Sequence, residues 1–314
     1  MKKVLTNTFD NLVRFVAIRI SWFYKILYLL PNKKTININD LVKESYKPYQ
    51  NIISIIFKRF VLIIARYSKG KSLIEKEVTY FSTNAFSLFL NVNEFTQCNH
   101  YLEAPNAELI KLVIKGGNTF IDIGANVGFF SLLASQHFGQ VLSFEPTPTT
   151  IQSFKRNIAS NNIDNVDLVE CGLSDKEGIM TFNENPLNAG GNSLEELNED
   201  MVDHSQRTDW ASYEIEVSTF DKIISNRSIK SIDLVKIDVE GHEPNVIKGS
   251  LLALNKFQPL VFIEIGRQKS HLKKILEVIP EIYKPYHPSG KVPLTINDQL
   301  PWDVLFIPKN KFNE

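Results

Sequence analysis

An α/β fold built on an open, mainly parallel sheet is predicted by three stretches of this 314-residue chain. In residues 118–145 an apolar, β-branched run ends at Asp122 and the turn Gly124-Ala-Asn126-Val-Gly128. A helical pattern follows, and a second apolar run ends at Glu145. Strand, turn, helix, strand is a βαβ unit, and a glycine-bearing first turn is where nucleotide-binding sheets hold their ligand. The second stretch is 232–239, which runs on into Glu240-Gly-His242-Glu243, and the third is 260–265, which carries Glu264 near its end. Ligands of open parallel sheets sit outside the carboxyl ends of the strands, so acids gathered at those ends mark a candidate site.

The remaining elements follow in order. A helix over 104–115 has a proline near its start and stops at Gly116-Gly117. Strand 118–124, helix 128–138 and strand 140–145 make the first unit. Helix 148–161 carries Phe154, Ile158 and the pair Lys155-Arg156, and strand 166–171 leads into Gly172-Leu173-Ser174-Asp175. Residues 179–182 read as a short extra strand. The polar stretch 183–213 has few large apolar residues and reads as a mobile loop able to cover a site. Strand 232–239 places Lys236, Asp238 and Glu240 on one face, because side chains alternate along a strand. Helix 245–255, strand 260–265, helix 269–279 and a last strand over 303–307, with a partner near 283–287, complete the sheet.

Upstream, 78–104 alternates apolar and polar residues, as a hairpin or short strands would. Residues 1–71 hold 14 Lys/Arg against Asp10, Asp40 and Glu44. Their apolar stretches, 4–30 and 52–65, are broken by Arg14, Arg19, Lys25 and by Lys58-Arg59. A spanning helix needs about 20 apolar residues with few charges, so both are expected to be amphipathic helices with basic faces. Such a segment packs on the main domain or on another subunit, or lies on an anionic membrane surface. No cleavage site follows an uninterrupted apolar core, so no signal peptide is read. The expected division is a basic helical segment at 1–77 and one α/β domain at 78–314.

Composition narrows the classes. Lys+Arg and Asp+Glu are 35 each, so overall charge gives no reason to expect nucleic-acid binding. Cys98 and Cys171 are too few for a disulfide framework and lack metal-ligand spacing, which suits a reducing, cytoplasmic location. Hydrophobic residues at 43% can bury a sizeable core.

The turn also discriminates between cofactors. Dinucleotide enzymes carry G-x-G-x-x-G, which lets a pyrophosphate approach the backbone. Here the pattern is D-x-G-x-N-x-G, and the side chain of Asn126 stands where the second glycine would be. Asp122 repels a diphosphate but suits an ammonium group. S-adenosylmethionine has that ammonium, a ribose for Glu145 and no phosphate, so it is favoured over NAD. A glycine turn used only for packing remains the bland alternative.

Together, Asp122-Ile-Gly-Ala-Asn-Val-Gly128, Phe144-Glu-Pro146, Gly172-Leu-Ser-Asp175 and Lys236-Ile-Asp-Val-Glu-Gly-His-Glu243 resemble the FkbM-type methyltransferase family over roughly residues 100–310. The resemblance implies a Rossmann-like, seven-stranded class I methyltransferase sheet, to which this chain adds its N-terminal helical segment. It also implies S-adenosylmethionine as donor and O-methylation of sugars, glycolipids or natural products. Carried over by position, Asp122, Gly124, Asn126 and Gly128 would wall the methionine part and Glu145 would hold the ribose. Cys171, Gly172, Leu173 and Ser174 would flank the adenine, and Asp238 would lie beside the transferring methyl.

Methyl transfer to a hydroxyl needs alignment and the removal of one proton. The candidate bases are Asp238, Glu240 and His242, with Glu264 as a further carboxylate and Lys236 as counter-ion to Asp238. Asp238, Glu240 and His242 also offer three ligands to a divalent cation, but nothing in their spacing demands one, and no metal is expected. An NAD-dependent oxidoreductase and a non-catalytic methyltransferase-like binding protein are the alternatives to a methyltransferase acting on a small-molecule or glycan acceptor. Peripheral membrane or oligomer contact is reserved for residues 1–71.

Overall fold

The computed structural model describes residues 107–183, Leu194 and 212–311 in full. It also describes the backbone of 33–37, 76–81, 85–90, 184 and 211. The chain separates into one unit of Met1–Ala104 with Pro186–Ala189, and another of Pro105–Asn185 with Gly190–Glu314. In the first unit β1 (Lys33–Asn37) runs parallel to β2 (Lys76–Phe81), and β2 forms a hairpin with β3 (Ala85–Leu90). The hairpin agrees with the alternation over 78–104. β1 is a strand inside a stretch expected to be helical, and the two amphipathic helices lie outside the described residues.

The second unit opens with α1 (Ala107–Lys115), which buries Leu109, Ile110 and Val113 on one face. Then come β4 (Gly117–Ile123), α2 (Phe129–Ser135), β5 (Phe138–Phe144), α3 (Pro148–Ser160) and β6 (Val166–Val169). β10 (Leu234–Ile237), β11 (Leu260–Glu264), β12 (Tyr283–Tyr286) and β13 (Asp303–Pro308) complete a seven-stranded sheet. Its order is β12-β13-β11-β10-β4-β5-β6. All neighbouring pairs are parallel except those of β13, which is antiparallel to both β11 and β12. The order reverses between β4 and β10, so a crevice opens at their carboxyl ends, where an open sheet binds its ligand. The central strands read as unbroken apolar runs because helices cover both faces. Ile121, Ile123, Val235, Ile237, Val261 and Ile263 are among their core residues.

A smaller sheet, β7-β9-β8, joins β7 (Gly172–Leu173), β8 (Gly178–Glu184) and β9 (Ala211–Ser218) over a core of Phe182, Ile215 and Val217. Residues 211–213 therefore begin a strand rather than close a loop. α4 (Phe220–Ser225) follows β9. The helix expected over 245–255 is two, α5 (Glu243–Lys248) and α6 (Leu251–Phe257). The break has a cause: the Asp221 carboxylate accepts from Leu252 N (2.9 Å) and Ala253 N (2.8 Å), capping a new helix there. α7 (Lys269–Leu276) lies between β11 and β12.

Candidate active site

The turn after β4 is closed by its own hydrogen bonds. Gly124 N and Ala125 N donate to Phe144 O, at 3.1 and 3.0 Å. Asn126 N donates to Glu145 Oε2 (2.9 Å), Val127 N to Asn126 Oδ1 (2.8 Å) and Gly128 N to Ala125 O (3.0 Å). Five successive N–H groups are thereby used within the protein. Gly124 has φ +74°, and a Cβ there would sit 1.8 Å from the carbonyl oxygen of Asp238. At Gly128, φ +93°, a Cβ would meet the Phe154 ring at 2.4 Å. Both glycines are thus required by neighbouring protein atoms. Asn126, φ 50°, occupies the left-handed region that Asn tolerates better than most residues.

Glu145, at the end of β5, spans this turn and the next. Its Oε1 accepts from Thr147 N at 2.9 Å, while Oε2 holds Asn126 N. Burial pushes its carboxyl up, against the pull of the Thr147 hydroxyl, of those N–H groups and of Lys236. The Thr147 hydroxyl donates as well, so of the about four hydrogen bonds a carboxylate accepts one position remains.

Asp122, Lys236 and Asp238 form the centre. Parallel register sets Lys236 of β10 beside Asp122 of β4. The Lys236 ammonium, 5% exposed, donates to Gly124 O (2.9 Å) and lies 3.3 Å from Asp122 Oδ1 and 3.4 Å from Asp238 Oδ2. Burial lowers the lysine, but Asp238 and Asp122 outweigh it and hold the amine above its ordinary value. Ser131 donates to Asp122 Oδ2 at 2.6 Å. Asp122, expected to meet a ligand ammonium, thus has its own cation inside the protein.

The strand ends at Ile237, and Glu240 adopts φ 53° in the turn beyond. Strict alternation over 236–240 therefore fails, yet one oxygen each of Asp238, Glu240 and Glu264 lie within 4.8 Å of one another. Asp303 of β13 pairs in register with Glu264. Burial, and then Asp238, push Glu264 up to about 11 and Asp303 up to about 8. Burial and the neighbouring Asp238 and Glu243 hold Glu240 well above the usual carboxylate range. Trp302 Nε1 donates to Glu264 Oε1.

The turn at 239–241 is braced from below. Glu243 Oε1 accepts from Val239 N (3.0 Å) and Gly241 N (3.2 Å), and its Oε2 faces His271 Nε2 of α7 at 2.7 Å. His242, 2% exposed, has Nε2 3.0 Å from Ser174 Oγ and Nδ1 3.2 Å from Asn245 Nδ2. The structure thus brings Asp122, Lys236, Asp238, Glu240 and Glu264 together and engages both nitrogens of His242 within the protein. Asp303, Trp302 and His271 carried no signal in the sequence, being single polar residues far from any motif.

The Methyltransferase FkbM domain profile matches residues 122–284, more than half of the chain. The chain belongs to the FkbM methyltransferase family. The matched domain is a methyltransferase domain with S-adenosylmethionine as its methyl donor. Its sheet order and single antiparallel strand are those of the Rossmann-like class I methyltransferase fold. Among curated relatives, the 2-O-methyltransferase NoeI of Sinorhizobium fredii is 27% identical over 188 residues, 55% of this chain and 75% of that protein. The hexuronic acid methyltransferase AglP of Haloferax volcanii is 29% identical over 156 residues, 49% and 59%. Methyltransferase 1 of Beauveria bassiana is 29% identical over 141 residues, 41% and 57%. The chain spans less than two thirds of the length of the latter two. An FkbM methyltransferase structure from Methylobacillus flagellatus is 18% identical, with a TM-score of 0.39, over 60% of this chain and 43% of that one.

The FkbM turn fits a phosphate-free donor. Its N–H groups from 124 to 128 are spent, so a pyrophosphate would find none, whereas the Glu145 carboxylate keeps one acceptor position. The run expected beside the adenine is mostly packed away: Leu173 and Ser174 are buried, and Gly172 fits against Ile215 and Val217. Cys171 is half-buried, its thiol pushed up to about 11 by burial and by Glu216. Among the described residues no helix is long and apolar enough to cross a membrane.

Proposed function

We propose that this chain is an S-adenosylmethionine-dependent O-methyltransferase acting on a hydroxyl of a sugar, glycolipid or small metabolite. The observation that carries the reading is the convergence of Asp238, Glu240 and Glu264 at the carboxyl ends of β10 and β11, one strand away from the Glu145 turn. Several acids in a sheltered crevice suit a cationic donor and an acceptor proton that must leave. The relatives named for a 2-O-methyltransferase and a hexuronic acid methyltransferase support a sugar-type acceptor.

Within this reading Glu145 accepts from a ribose hydroxyl. Asp122, Gly124, Asn126 and Gly128 shape the wall of the donor pocket, and Cys171 offers the open edge of the 171–174 run. The donor supplies an electrophilic methyl group and leaves as a thioether. Asp238, whose side chain is 26% exposed, receives the acceptor proton as the new C–O bond forms. Lys236 is its counter-ion, Glu240 borders the acceptor, and His242 holds the β10–α5 corner against Ser174.

The test is calorimetric titration of the full chain with S-adenosylmethionine, S-adenosylhomocysteine and NAD. Methyl transfer from labelled donor to a panel of sugars and glycolipids follows. Binding of the first two, none of NAD, and label on a hydroxyl are expected. NAD binding, or label on nitrogen or carbon only, would overturn the reading.

A further inference from the structure

We propose that His271 is a positioning residue, acting through Glu243 on the turn that presents Asp238 and Glu240. Glu243 closes the motif that begins at Lys236, yet the donor and acceptor chemistry above makes no use of it. His271 lies on α7, beyond β11, and belongs to no motif.

The turn needs holding. After β10 the chain leaves the extended region, with Glu240 at φ 53° and Gly241 at φ 101°. A non-glycine residue with positive φ persists only where its surroundings over-determine it. Glu243 supplies that constraint. Its Oε1 accepts from the N–H groups on both sides of Glu240, Val239 N at 3.0 Å and Gly241 N at 3.2 Å. Asp238, just before, is tied to the sheet by its own N–H, which donates to Ile123 O at 3.1 Å. The segment carrying Asp238 and Glu240 thus hangs from β4 on one side and from Glu243 on the other.

Glu243 is in turn held by His271. The glutamate is 1% exposed, and its Oε2 lies 2.7 Å from His271 Nε2. Both atoms are buried, and neither has another hydrogen-bond partner among the described residues. A carboxylate oxygen only accepts, so the contact requires a proton on Nε2. Leu272 and Ile275 of α7 are buried in the core, so the helix fixes where the ring sits. Without the ring, a buried carboxylate oxygen is left unsatisfied. A carboxylate that then turns toward water withdraws Oε1 from the two N–H groups, and the turn relaxes. Small displacements of an aligning group are costly in rate. The donor turn at 124–128 is closed by its own hydrogen bonds and makes no use of this pair. The effect on turnover rests on the O-methyltransferase reading, but the hold on the turn does not.

The experiment compares the full wild-type chain with H271L, H271Q and E243Q by amide hydrogen exchange, S-adenosylhomocysteine calorimetry and methyl-transfer kinetics. In H271L the Val239 and Gly241 amides should exchange at least about 10-fold faster, as loss of one charge-assisted hydrogen bond allows, while β4 and β5 keep their protection. Turnover should fall by roughly 10- to 100-fold, with S-adenosylhomocysteine affinity and the KM for the donor unchanged. H271Q, whose amide can still donate, should recover most of both losses. The double variant E243Q/H271L should be no slower than E243Q alone, because His271 acts only through Glu243. Unchanged exchange at the two amides in H271L would overturn the proposal, as would losses in turnover that multiply in the double variant. If the wild-type chain transfers no methyl group to a hydroxyl, exchange alone decides the positioning contact, and the O-methyltransferase reading falls by itself. Should H271L fail to fold, wild-type protein carrying isotope-labelled histidine decides by magnetic resonance. A slowly exchanging ring N–H that disappears in H271Q supports the contact, and its absence overturns it.

Discussion

The Glu145 turn and the acid cluster at the ends of β10 and β11 lie at the same edge of one sheet, yet they are finished to different degrees. In the turn every N–H from 124 to 128 has a partner, and both glycines are wedged against Asp238 and Phe154. In the cluster Asp122 and Asp238 share the Lys236 ammonium, while burial and Asp238 hold the carboxyl groups of Glu264 and Asp303 up. The turn is held by protein contacts alone, while burial in the cluster favours protons on its carboxyl groups. The first is suited to positioning a donor, the second to handling charge as bonds change.

Breaking the turn should have the largest effect. Gly124→Ala forces a methyl group into the Asp238 carbonyl at a backbone conformation that L-residues resist. It should cost at least about 3 kcal/mol in urea unfolding; a near-native midpoint would show that the turn yields. Asp238→Asn addresses the cluster: turnover should fall by roughly 100- to 10,000-fold with S-adenosylhomocysteine affinity retained, and a fully active variant would remove Asp238 from the chemistry. Glu145→Ala should weaken S-adenosylmethionine binding by roughly 1–3 kcal/mol, and unchanged affinity in calorimetry would end the ribose assignment.

The smallest effect concerns pH. Asp303 is raised to about 8, so between the ordinary aspartate range and pH 8 the folded chain holds a proton that the unfolded chain has released. Stability should therefore fall as pH rises through that window. D303N, which has no such proton to lose, should flatten the melting-temperature profile. A wild-type profile that rises over the same window would contradict the burial argument.

Much of this was legible in the chain. Apolar β-branched runs ending in Asp122, Glu145 and Glu264 announced the central strands, because strands covered on both faces admit little else. The pattern put Asp238 and Glu240 at a strand end, where they converge with Glu264, although alternation wrongly extended the strand through the left-handed turn at Glu240. β9 went unseen because it follows a polar stretch and packs on the small core of Phe182, Ile215 and Val217. The split of α5 from α6 depends on Asp221, about 30 residues upstream. His242 was attractive for its ordinary pKa, and only the fold shows Ser174 and Asn245 engaging its ring. Asp303 is one carboxylate opening a strand, and nothing local tells it from a solvated one.

The contact between Gly124 and the Asp238 carbonyl has a further consequence for how such an enzyme can diversify. The backbone of the turn, which shapes the donor pocket on the proposed reading, and the backbone that presents the acid cluster touch with no side chain between them. Neither can drift without carrying the other, so new acceptor preferences are not easily gained by reshaping these strand ends. On the proposed O-methyltransferase reading, variation in acceptor is better sought where the chain leaves the sheet around Trp302 and Arg267, whose side chains stack. Libraries aimed there should keep the donor constant while the acceptor changes.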